Sequence, residues 1–117
     1  MLFRSGRRLQ QEVRTILIET LKIHPEDIEN RSMGAGGEDL IMARAAREKF
    51  PYSIECKNQE KLNIWKALEQ SRNDAPRNKI PLVVMTKNRE LDYVALEFND
   101  FVNLLIELEQ LRNEISN

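Results

Sequence analysis

The chain predicts an α/β fold, a mixed β-sheet flanked by helices, and three observations carry that expectation. Apolar residues recur at helical spacing near both ends and again in the middle of the chain. Between these stretches lie short extended segments bounded by turn residues. One of them, Leu82-Val83-Val84-Met85-Thr86, is a continuous apolar run of the kind buried on both faces of a helix-covered sheet. The predicted order is helix, three strands, helix, two strands, helix, in a single domain over 1–117 with no repeat, linker or low-complexity tract.

Each element has its own warrant. Residues 6–22 place Leu9, Val13, Ile16, Leu17, Thr20 and Leu21 on one helical face, with Ser5 as N-cap. Pro25 bars continuation, so 23–27 is a turn, and His24 in it takes a surface role. An extended piece over 28–33 leads into Gly34-Ala35-Gly36-Gly37, then a strand over 39–43. Residues 44–51 are short enough to join this strand to the one at 52–57 in hairpin fashion. Residues 61–73 read as a helix with the stripe Leu62, Trp65 and Leu68, Trp65 anchoring it on the sheet while Gln70 points away. After a proline-bounded loop come the strands at 82–86 and 93–98. The last helix, 100–116, repeats Phe101, Leu104, Leu108, Leu111 and Ile115 at alternating spacings of three and four. That is an a/d seam longer than so small a core uses, and it predicts a homodimer.

Composition narrows the class. Charged residues make up 32% of the chain, and no apolar run approaches the roughly 20 residues needed to span a bilayer, so a cytoplasmic protein without membrane contact is expected, in a host cytoplasm if a phage encodes it. The single cysteine, Cys56, excludes an intramolecular disulfide and any cysteine-cluster metal site. The net charge is −1, but the segment after Leu96 alone carries −4, leaving +3 on the rest. Arg4, Arg7, Arg8 and Arg14, with Arg44, Arg47 and Lys49, are then candidates for phosphate contacts. Lys87-Asn88-Arg89 sits just past a strand's C-terminal end, where α/β sheets often bind ligands, and could hold phosphate.

The chemistry concentrates on Asp39, Glu55 and Lys57. Alternation along a strand projects Glu55 and Lys57 to one side and Ile54 and Cys56 to the other. Two carboxylates and an ammonium converging at a sheet edge suit Mg²⁺-dependent phosphodiester hydrolysis, since a hard cation takes oxygen ligands and the lysine can orient water or offset negative charge. No catalytic His/Cys pair competes with this reading. The Gly-rich loop is not a nucleotide cradle, because no Gly-Lys-Ser/Thr follows it. Its glycines, Gly34 and Gly36 among them, would let backbone approach DNA closely, with Ser32 near the scissile phosphate.

A Gly-rich loop ending in Asp39, followed by Glu55-Cys56-Lys57 and an amphipathic helix, resembles the PD-(D/E)XK nuclease superfamily, most closely its small phage-type and archaeal-type Holliday junction resolvase-like members. The resemblance runs from the first helix through Leu105 and implies a restriction-endonuclease-like core. It implies Mg²⁺, with Mn²⁺ able to substitute, held by Asp39, Glu55 and the backbone carbonyl of Cys56. It also implies a glutamate on the first helix at the metal, Glu12 rather than Glu19. The proline expected before the first acid is Glu38 here, which leaves Glu38 open as a further ligand. A glutamine on the central helix is frequent in such phage proteins and matches Gln70. The expected substrate is branched DNA. A nicking, restriction-like or repair nuclease would use the same site, and a catalytically silent DNA-binding module could keep the fold, although two carboxylates beside phosphate gain it nothing without a metal between them.

Overall fold

The structure, a computed structural model, describes residues 6–31 and 36–116. Arg4, Ser32 and Gly34 lie outside them, as does the side chain of Arg7. Helix α1 spans Gly6–Leu21 and ends where Lys22 turns into the left-handed region at φ 57°. One turn of 3-10 helix follows at Pro25–Asp27, with His24 as its N-cap: the Nδ1 accepts from the Glu26 N–H, which gives the histidine the surface role expected of it. Strand β1 (Ile28–Asn30) pairs antiparallel with β2 (Leu40–Met42) as one small sheet. The second sheet has the order β3-β4-β5, with β3 (Tyr52–Asn58) parallel to β4 (Ile80–Thr86) and β4 antiparallel to β5 (Tyr93–Ala95). Helices α2 (Arg44–Lys49), α3 (Ile64–Asp74) and α4 (Phe98–Ser116) complete the α/β fold.

The connection between β2 and β3 is not a hairpin. Residues 44–49 form α2, and the two strands belong to different ladders. The Arg-Ala-Ala-Arg-Glu-Lys run consists of good helix formers and buries Ala46. Loop and sheet are joined instead by the Asp39 N–H, which donates to the Ile54 carbonyl at 3.0 Å.

Even-numbered residues of β3, Tyr52, Ile54 and Cys56, face a core shared with Leu9, Val13, Ile28, Leu40, Met42, Leu82 and Val84. Ile16 departs from the stripe read for α1: it is 55% exposed, while Gln10 is buried beside Leu9. α3 is likewise rotated from expectation. Trp65 is 79% exposed and anchors nothing; Ala67 and Ser71 face the sheet, small enough for helix and strand backbones to approach until the Ser71 hydroxyl donates to the Leu82 carbonyl at 3.2 Å. β4, central in its ladder, buries Leu82, Val83 and Val84, as its apolar run predicted. α4 starts two residues earlier than expected and has no buried residue; Leu104 packs on the core while Phe101, Leu108, Leu111 and Ile115 stay exposed.

Candidate active site

The site forms because Asp39 is tied to the open edge of β3. Its N–H bonds to Ile54, and its Oδ2 accepts the Cys56 N–H at 2.6 Å. In a strand the N–H and C=O of one residue point to the same side, so the Cys56 carbonyl opens onto this same edge, beside the Asp39 carboxylate. Gln10, buried on α1, fixes the segment from behind by donating its amide to the Asp39 carbonyl. Gly37 at φ 95° lets the chain turn into this position, where a Cβ would meet the Arg31 guanidinium at 3.1 Å. Gly36 has open space around it.

Glu55 is 2% exposed, on the β3 face covered by α3. Its side chain is hydrogen-bonded to Asp39, and its Oε2 is buried without a partner among the described residues. Burial, the adjacent charge of Asp39 and the charge of Asp74 push Glu55 up to about 8, against the favourable charge of Lys57. Burial also raises Asp39, opposed by the Cys56 N–H, the Lys57 charge and the bond from Glu55. Glu55 is therefore the more readily protonated of the two carboxyls, and its contact with Asp39 favours its neutral form. Burial pushes the Cys56 thiol well up, so it is an inert core group behind the site.

Lys57 stands two residues along on the same face, and its Nζ donates to the Gln70 Oε1 at 2.8 Å. Gln70 was expected to point away from the apolar stripe of its helix and to matter little. The true sheet-facing residues are Ala67 and Ser71, and this rotation brings Gln70 to the site and carries Asp74, one turn further, near enough to act on both acids. Gln10, Gln70 and Asp74 are the site residues that sequence reading missed or discounted; the glutamine seen in phage relatives was the one signal available.

The remaining candidates fall elsewhere. Glu38 is not open to a metal: its carboxylate is buried in a two-pronged pair with the Arg47 guanidinium. Glu12 forms an ion pair with Arg8 at 3.6 Å across one turn of α1, and Glu19 is exposed on the same helix. Several cations proposed for phosphate are engaged in the fold. Arg14 donates to the carbonyls of Ile28 and Pro25 and Lys49 to the carbonyl of Lys22, whereas Arg44 stays exposed on the surface, paired with Glu48 one turn along α2 at 3.7 Å. Lys87, Asn88 and Arg89 occupy the turn after β4, Lys87 and Arg89 exposed.

No group of three or more His, Cys, Asp or Glu side chains capable of holding a metal occurs among the described residues. Two carboxylates with a neighbouring backbone carbonyl still suit Mg²⁺, which keeps several waters and takes one or two protein carboxylates together with substrate phosphate. The buried Oε2 of Glu55, unpartnered among the described residues, is an oxygen that a cation could take as a ligand.

An α/β core that gathers an aspartate, a glutamate and a lysine at one strand edge defines the nuclease class of the PD-(D/E)XK superfamily. Residues 26–116 match the family described as "Phage putative PDDEXK endonuclease", and the chain belongs to that family. No curated protein and no solved structure matches it.

Proposed function

We propose that the protein is a divalent-metal-dependent endonuclease that hydrolyses DNA phosphodiester bonds, with branched DNA of the Holliday junction type as its substrate and Mg²⁺ as its metal. The observation that carries this reading is the Asp39–Glu55 pair: two carboxyls held together at a strand edge, with one Glu55 oxygen buried and unpartnered among the described residues. Uncompensated burial of this kind costs stability, and a cation would relieve it. Asp39, Glu55 and the Cys56 carbonyl would hold the metal, which supplies a polarised phosphate and an acidified water. Lys57, steadied by Gln70, orients the attacking water or offsets charge on the phosphate. Lys87, Asn88, Arg89 and the Gly-rich loop contact the strand on either side, and α4 pairs two copies so that two sites act on one junction.

The test compares junction, flap, nicked and linear DNA in Mg²⁺, in Mn²⁺ and in chelator. Asp39→Asn and Glu55→Gln should each abolish cleavage while leaving the fold and DNA binding intact. Lys57→Ala should lower the rate by about 100-fold or more without a matching loss of metal affinity, because an ammonium is no ligand. Cleavage of none of these DNAs by the wild type would leave a binding module of the same fold.

A further inference from the structure

The register of the second sheet sets Lys57, Met85 and Tyr93 side by side on β3, β4 and β5, so the three side chains share the face that carries Glu55. Just beyond this row, at the C-terminal end of β3 and β4, lies a cavity of about 370 Å³. Its walls are Leu62, Met85, Leu91 and Tyr93, and Glu60 and Glu90 stand at its rim. Leu91 and Tyr93, 73% and 51% exposed, form an apolar lip that nothing among the described residues covers. The cavity is built rather than incidental. The Gln59 N–H continues the ladder by donating to the Thr86 carbonyl at 3.3 Å, and the buried Thr86 hydroxyl lies 3.0 Å from the Leu91 carbonyl and 3.3 Å from that of Glu90. The turn between closes through Arg89 at φ 66°.

Position decides what such a cavity is for. Met85, the neighbour of Lys57 across the β3–β4 ladder, forms part of its wall, and Lys87, two residues further along the chain, lines it as well. A nucleic-acid strand reaching from a phosphate at Asp39 and Glu55 to one at Lys87 passes its base over the opening. We propose that the cavity receives one unstacked nucleobase of the cleaved strand, seated against Tyr93 and Met85 beside the scissile phosphate. Carboxylates at the rim accept hydrogen bonds, so bases with an exocyclic amino group are favoured there over thymine. The site would therefore select DNA whose strand is unpaired next to the cut, as at a branch point. This inference rests on the nuclease reading and names its substrate feature.

The test places 2-aminopurine, in turn, at each nucleotide flanking the mapped cut in a junction strand, with Ca²⁺ replacing Mg²⁺ to hold the complex. One position should change fluorescence on binding, and Tyr93→Ala, a substitution at an exposed side chain, should abolish that change. In Mg²⁺ the same variant should raise KM for the junction about tenfold or more with kcat nearly unchanged. An abasic nucleotide at that position should raise wild-type KM equally and remove the difference between the two proteins. Metal-dependent cleavage by the wild type without these Tyr93 effects overturns the base pocket alone. Absence of all cleavage overturns the nuclease reading and the pocket with it.

Discussion

Glu55 holds a proton at neutral pH because its carboxyl is buried against Asp39 and within the field of Asp74. Below the ordinary value of 4.5 both folded and unfolded chains are protonated at this residue, and it contributes nothing to pH dependence. Above it the unfolded chain ionises while the folded one keeps its proton, so metal-free protein loses stability as pH rises until about 8, where the loss levels off. Thermal denaturation in chelator should show Tm falling from pH 5 to 8, with Glu55→Gln flattening the slope. If a divalent cation binds these carboxyls as proposed it would displace this proton, so calorimetric Mg²⁺ affinity should rise by up to about tenfold per pH unit and level off near the same pH. A flat Tm profile in the wild type would put the proton elsewhere. Asp39, Glu55 and Lys57 were legible in the sequence because loop, strand and alternation fix their placement. Gln70 and Asp74 were not, because their direction depends on the rotation of α3 about its own axis, and that is set by the close approach of Ala67 and Ser71 to the sheet.

At the scale of elements, α4 is the least supported. Its underside meets the body near Tyr52, whose hydroxyl is raised by burial and by the charges of Glu107 and Asp100. Leu104 on its a/d stripe packs on the core, while Phe101, Leu108, Leu111 and Ile115 of the same stripe stay exposed. With Phe101 and Leu108 at a positions, Glu107 falls at g and Arg112 at e. Parallel pairing of two copies then sets Glu107 of one beside Arg112 of the other, whereas antiparallel pairing does not. Leu108→Lys combined with Leu111→Lys should weaken association by about 2–4 kcal/mol, read by sedimentation, and should convert paired incisions on a junction into single nicks. A wild type that sediments as a monomer at micromolar concentration would reduce α4 to a cap on its own sheet.

Across the whole molecule, two small sheets share one core, and a buried ion pair ties α2 to the loop that carries Asp39. Arg47 on α2 clasps Glu38, which precedes Asp39, and also donates to the Tyr52 carbonyl at 3.3 Å where β3 begins. Arg47→Ala would strand a buried carboxylate and should cost about 3–5 kcal/mol, measured by urea denaturation; Arg47→Ala together with Glu38→Gln should recover part of it. A loss below 1 kcal/mol would mean that the bonds with Gln10, Arg31, Ile54 and Cys56 hold the loop without the ion pair. A surface arginine awaiting phosphate and a buried structural arginine look the same in sequence, which is why Arg47 was read as a DNA contact.

By itself the sequence determined the α/β class, the element types with the exception of α2, the burial of β4 and the placing of Glu55 and Lys57 on one face of a strand, because these rest on local periodicity and on residue spacing along single strands. Tertiary structure alone decided which face α3 turns to the sheet, that Glu38 serves Arg47, that Asp39 and Glu55 are buried against each other, and that Lys57, Met85 and Tyr93 form one row. Each depends on the approach of elements far apart in the chain, where packing of small residues and the desolvation of facing charges outweigh any local preference.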